Sequence, residues 1–338
     1  MGRFLRSVGI DLGTANTLIL VQGKNIVLRE PSVVAVDKKD GEIVAVGNAA
    51  KDMLGRTPDS IIAIRPLRDG VIADFNMTQG MLKHFVNRSI SHSWFLKPIM
   101  IVCIPYGATP VEKRAVEEVI LQAGAGSAYL IQEPLAAAIG TGISVNEPSG
   151  NMVVDIGGGT SEVAVISLGT IVVSKSIRIA GDKFDESIIR YVRRHHDLII
   201  GERTAEYAKM ELGSIHNKEE NKSLEIRGRH ASNGLPKTAL INAREVNEAL
   251  KEPIEHIIDA IKVTLEKSPP ELAADIIQKG MSITGGGSLL SGLTERIMES
   301  IGIKAELAEN PLDCVINGIE KIIEDMQSFK RVLIPLKK

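Results

Sequence analysis

Aromatic side chains make up only 3% of this 338-residue chain, so its core must be built from Ile, Leu, Val and Ala. That supply favours helices stacked on sheets. Two cysteines are present, Cys103 and Cys314, each within an apolar run. Both read as buried reduced thiols, which fits a reducing cytoplasm. No uninterrupted apolar stretch approaches the roughly 20 residues of a membrane-spanning helix. The first strand follows the opening residues directly, with no room for a cleavable signal peptide, so a cytoplasmic protein is expected. A net charge of −2 gives no general attraction to polyanions, and no direct nucleic acid binding is expected. The length is generous for one core and comfortable for two domains.

What the chain does have is a repeated phrase. Val8 to Thr17 opens with an apolar run, then Asp11, then a glycine turn carrying hydroxyls; Val153 to Glu162 does the same around Asp155. Each copy continues into an alternating strand, 17–21 or 163–167, then a second glycine turn and another strand, 26–28 or 171–173. Glycine turns bring backbone N–H groups close to an anion, and an Asp at a strand end can hold a hydrated cation. Two such hairpins can pinch a polyphosphate and its Mg²⁺ between two similar lobes. A third strand with a glycine turn closes at Gly285, Gly286 and Gly287. None of the three fits a Walker loop or a dinucleotide fingerprint.

Between these turns the pattern alternates. Strands are expected at 31–36 and 43–47, a helix at 48–54 and an extended segment at 61–64, together a small inserted unit. Spacing of Met81, Leu82, Phe85 and Val86 predicts a helix over 78–87 with Thr78 as its N-cap. Ile99 to Ile104 reads as a strand buried on both faces. Thr109-Pro110 starts the next helix, and Glu133 to Gly140 forms a small-residue helix. The joint between lobes falls near Pro148 to Gly150. Beyond it, helices are expected from Asp185 to about His196, over 205–212 and from Asn242 or Arg244 to Leu265. Strands fit 223–227 and 238–241. The order hairpin, helix, strand, helix thus occurs twice, which argues a duplicated α/β fold.

These residues resemble the actin/heat-shock chaperone/sugar-kinase ATPase superfamily, and within it the bacterial cell-shape actins of the MreB family. The similarity runs over nearly the whole chain and includes blocks outside the phosphate turns, among them Arg65 to Asp74, Glu133 to Gly140, Gly201 to Glu206, Gly234 to Thr238 and Pro269 to Ile276. The resemblance implies an actin-like, ribonuclease H-like fold of two lobes with a nucleotide cleft and a small insertion in each. Lobe I would span 1–147, with an insertion at about 32–66 and the C-terminal segment 318–338 returning to it. Lobe II would span 148–317, with an insertion at about 185–243.

It further implies that Asp11 and Asp155 hold Mg²⁺ mainly through water. Gly13, Thr14, Ala15 and Asn16, with Gly157, Gly158, Gly159 and Thr160, would clamp the phosphates of ATP or ADP. Gly285 to Gly287 would approach the ribose, and Glu206 and Lys209 would flank the adenosine. Glu133 matches the family's water-activating carboxylate and Thr160 the hydroxyl that helps place that water. In-line attack on a γ-phosphate needs an oriented water, a metal and little covalent participation. Two departures stand out: Gln132 replaces a second Glu beside Glu133, and the family's Gly-Thr-Gly pattern survives only as Gly318-Ile-Glu.

Trp94-Phe95-Leu96 follows a polar stretch and precedes Lys97, which suits shallow insertion into a bilayer. Phe4 and Leu5 between Arg3 and Arg6 form a second weak anchor, and the tail from Phe329 fits either membrane contact or core packing. One short anchor binds marginally, so attachment would need many subunits together. By resemblance, the partners are other copies of the chain in a head-to-tail filament with paired protofilaments, the inner face of the cytoplasmic membrane and cell-wall elongation proteins. A slow ATP-bound scaffold and a plasmid-segregating actin are the alternatives.

Overall fold

The computed structural model describes residues 7–90, 97–215 and 222–335. Residues 91–96 fall outside this set, and with them Trp94, Phe95 and Leu96; so do Phe4 and Leu5.

The chain opens with β1 (Ser7–Leu12), β2 (Asn16–Val21) and β3 (Asn25–Pro31), an antiparallel meander. Next comes the small unit: β4 (Val34–Asp37), β5 (Ile43–Val46), α1 (Asn48–Met53) and β6 (Ile61–Ile64). Its sheet runs β5-β4-β6, and Val33, Ala35 and Ala50 form its own small core. A hairpin of β7 (Leu67–Arg68) and β8 (Val71–Ile72) leads to α2 (Phe75–Ser89). Asp74, not Thr78, caps α2: its carboxylate accepts from the Met77 amide at 3.0 Å. Thr78 instead lies inside the first turn, and its hydroxyl donates to the Asp74 carbonyl at 2.7 Å.

The first half ends with β9 (Ile99–Ile104), α3 (Pro110–Gln122), β10 (Ser127–Gln132) and α4 (Glu133–Gly140). Thr109 and Glu112 complete a capping box at the start of α3. The second half repeats the meander as β11 (Asn151–Ile156), β12 (Ser161–Ser167) and β13 (Thr170–Ile177). It continues with α5 (Gly181–His196), β14 (Leu198–Ile199), α6 (Glu202–Leu212), β15 (Ser223–His230) and β16 (Pro236–Asn242). Asn242 and Glu245 form the capping box of α7 (Ala243–Glu266). The last elements are α8 (Pro270–Lys279), β17 (Met281–Thr284), α9 (Leu293–Ile301), β18 (Ala305–Leu307), α10 (Cys314–Glu324) and β19 (Ile334–Pro335).

Two mixed sheets carry the duplication. The first has the order β19-β10-β9-β1-β2-β3 and the second β13-β12-β11-β17-β18. In both, the Asp-bearing strand lies between its antiparallel hairpin partner and a parallel strand: β1 between β2 and β9, β11 between β12 and β17. Asp11 is in register with Leu18, and Asp155 with Glu162.

Two helices are exchanged between the sheets. Leaving β10 of the first sheet, α4 packs on β11 and β12 of the second; α10 arrives from the second sheet and packs on β1, β2 and β9 of the first. They cross so closely that a Cβ on Gly318 would run into the Ala136 carbonyl, and one on Gly140 into the Cys314 carbonyl. Glycine is thus the residue this crossing demands, and Gly318 alone meets that demand on α10. The tail settles into the protein: Val332 and Leu333 are buried in the core beside α4 and α10, and β19 adds to the edge of β10.

Candidate functional site

Because β1 and β11 end facing one another, their glycine turns meet. A Cβ on Gly158 would lie 2.6 Å from the Ala15 Cβ, and one on Gly159 2.7 Å from the Thr14 hydroxyl. Only glycine lets the two turns approach this far. Each turn is braced from its own side. Ser32 donates to the Gly13 carbonyl at 2.7 Å and shares a hydroxyl bond with Thr17 at 2.9 Å. The Gly70 amide donates to the Thr14 hydroxyl at 2.9 Å. On the other side, the Asp182 amide at the start of α5 donates to the Gly158 carbonyl at 2.8 Å.

Below the turns lies a cavity of about 510 Å³. Asp11, Gly13 to Asn16, Glu133, Asp155, Gly157 to Thr160, Glu206, Lys209 and Gly285 to Gly287 all line it. The third turn is held at Gly285 (φ 85°), whose amide donates to the Pro311 carbonyl at 2.9 Å. Glu206 and Lys209 sit one turn apart on α6. Lys51 of the small unit pairs with Glu206 at 3.0 Å, and Lys209 pairs with Asp185 at 2.9 Å and donates to the Gly181 carbonyl at 3.2 Å. Arg65 reaches Asp182 at 3.2 Å, and Arg203 reaches Asp52 at 3.3 Å. Three of these pairs, those of Lys51, Arg65 and Arg203, span the cleft.

The floor is a set of carboxyls, Asp155 and Glu162 buried and Asp11 and Glu133 half-buried. Burial raises Asp11 to about 6, against which the Cys103 thiol, donating to it at 3.1 Å, acts to lower it. Burial raises Asp155 to about 7, with the Thr284 hydroxyl opposing and Asp11 reinforcing. Glu133 is pushed well above its ordinary value by burial, then by repulsion from Glu162, Asp155 and Asp11. Like charges in low dielectric disfavour a second ionisation, so the cluster attracts a cation or holds protons.

Among the described residues, no group of three or more carboxylate, imidazole or thiol ligands gathers closely enough to cage a metal ion. Two cavity-lining carboxylates, Asp11 and Asp155, that need water and phosphate oxygens to complete the shell fit Mg²⁺, which sheds its waters reluctantly. Glu162 went unnoticed in the sequence. It is buried, accepts from the Tyr106 amide at 3.1 Å and from the Ser176 hydroxyl at 3.0 Å, and is raised to about 7 by burial. Its place opposite Asp155 in the hairpin was the available signal.

A duplicated sheet, exchanged helices and facing glycine turns define an actin-like two-lobed fold with a nucleotide-sized cleft. The chain belongs to the MreB/Mbl protein family, whose sequence model matches residues 5–331. It is 51% identical over 328 residues to the cell shape-determining protein Mbl of Bacillus subtilis (strain 168), covering 97% of this chain and 98% of that one. It is 52% identical over 328 residues to the cell shape-determining protein MreB of Escherichia coli (strain K12), covering 96% and 94%. The crystal structure of MreB 5 of Spiroplasma citri bound to AMPPNP superposes with a TM-score of 0.93 at 36% identity, covering 98% of this chain and 99% of that one. Among the described residues no helix is long and apolar enough to cross a membrane.

Proposed function

We propose that the chain is an ATP-dependent filament protein that works on the inner face of the cell membrane and maintains cell shape by organising cell-wall synthesis. ATP binding drives head-to-tail assembly, and slow hydrolysis to ADP and phosphate destabilises the filament. The lobes divide at about 147, with residues 318–338 returning to the first. The observation that carries the nucleotide reading is the meeting of two glycine turns over Asp11, Asp155 and Glu133. Family membership supports the cell-shape role, through relatives named for it. The AMPPNP bound by the Spiroplasma relative supports the choice of ligand.

In this reading backbone N–H groups of residues 13–16 and 157–160 hold the phosphates, Gly285 to Gly287 lie along the ribose, and Glu206 and Lys209 flank the adenosine. Asp11 and Asp155 would hold Mg²⁺, which when bound would screen the phosphate charges. Glu133 stands at the N-terminus of α4, where the helix dipole favours its ionised form against the burial that opposes it. It orients the attacking water and takes up its proton, and the Thr160 hydroxyl fixes that water from the other lobe. Phosphate release from wild type and Glu133→Ala tests the assignment. The variant should bind ATP normally and release phosphate at least about a hundredfold more slowly. Equal rates would leave an ATP-bound scaffold with no hydrolytic role for Glu133.

A further inference from the structure

We propose that Arg29 is a phosphate-binding residue of the cleft, held in reserve by Asp313 and transferred to the nucleotide when it binds. The proposal rests on the nucleotide reading of the cleft and adds to it a residue that no phosphate turn contains.

The geometry begins with register. Asp11 pairs with Leu18, and Leu18 pairs with Arg29, so the three stand in one row across β1, β2 and β3 on the same face of the sheet. Two strand spacings are about 10 Å, a distance an extended Arg side chain largely spans over the short Leu between. Arg29 accordingly lines the same cavity as Asp11.

Among the described residues, four cations line that cavity: Arg29, Lys51, Arg65 and Lys209. The last three pair with Glu206, Asp182 and Asp185, carboxylates carried by α5 and α6. Arg29 pairs on the opposite side, its Nη2 lying 2.5 Å from Asp313 Oδ1 at the start of α10. Asp313 ends the turn whose Pro311 carbonyl holds Gly285 and whose Leu312 leans on Gly286. The pair therefore sits between the first Asp and the third glycine turn.

The need is electrostatic. The glycine turns offer a polyphosphate only neutral N–H groups, so a cation beside them adds a charge complementarity that the turns lack. A guanidinium offers a phosphate two parallel charge-assisted bonds, a better match than its single bond to one Asp313 oxygen. The side chains of Arg29 and Asp313 are 44% and 23% exposed, so their mutual attraction is screened and the exchange costs little.

The test is titration of the full-length protein with Mg·ADP and with adenosine, at concentrations too low for assembly. Arg29→Gln should weaken ADP by about fivefold or more and leave adenosine unchanged. Asp313→Asn should do the opposite, tightening ADP by about twofold or more because the guanidinium is released. Arg29→Lys should recover part of the loss. A purely structural ion pair would move both variants in one direction, and that result overturns the proposal. So does unchanged ADP affinity in Arg29→Gln, or an equal loss for adenosine. If Arg29→Gln does not fold, the sign for Asp313→Asn decides alone. Failure of wild type to bind ADP would instead overturn the nucleotide reading itself.

Discussion

Gly318→Ala places one methyl group where the exchanged helices leave no room for it. Its Cβ would collide with the Ala136 carbonyl oxygen and lie 2.7 Å from the carbonyl carbon and 3.1 Å from the Ala136 Cα. All three obstacles are backbone, so no rotamer change relieves them, and α4 and α10 must move apart. Overpacking of this kind costs about 1–3 kcal/mol, with the rigid obstacle arguing for the upper half. Ala is favoured over Gly inside a helix by about 1 kcal/mol, which offsets part of the loss. The net expectation is a loss of about 1–2 kcal/mol, and a large domain loses about 2–4 °C of Tm per kcal/mol. Thermal unfolding of the nucleotide-free monomer measures it, with Glu324→Ala on the exposed end of α10 as control. A Gly318→Ala protein as stable as wild type, or more so, would refute the close crossing and the account of Gly318 with it.

Two further predictions concern charge and membrane. A carboxyl whose folded pKa is raised binds its proton more tightly in the folded state. Its favourable contribution is therefore present at low pH and lost as pH rises from about 4 through the folded value of about 7 for Asp155. Nucleotide-free wild type should lose Tm between pH 5.5 and 7.5 relative to Asp155→Asn; parallel slopes would contradict the buried-carboxyl account. For the apolar triplet Trp94-Phe95-Leu96, wild type should pellet with anionic liposomes in ATP, and Trp94→Ser/Phe95→Ser should not. Equal pelleting would remove that triplet as the anchor.

Much of this architecture is legible in sequence because it is local. Asp11 and Asp155 each precede a glycine turn and an alternating strand, and the chain says so twice. Thr109-Pro110 and Asn242 announce helix starts through their own capping chemistry. The cap of α2 was misplaced because Asp74 and Thr78 both fit a cap, and only the Asp74 bond to Met77 decides between them. Similarly α5 begins four residues earlier than its apolar spacing suggests, since Gly181 and Asp182 are drawn into the helix by bonds to Gly157 and Gly158. Pairs such as Arg29 with Asp313, or Lys51 with Glu206, join residues far apart in the chain, and no spacing rule reveals them. The fit of Gly318 against Ala136 is hidden for the same reason.

The central claim is that nucleotide in this cleft controls assembly. The most direct measurement is high-speed sedimentation of the purified protein with Mg·ATP, with Mg·ADP and without nucleotide, with negative-stain images of the pellets. The account predicts filaments in ATP, far fewer in ADP and none without nucleotide. Filaments that form equally in all three conditions would contradict it.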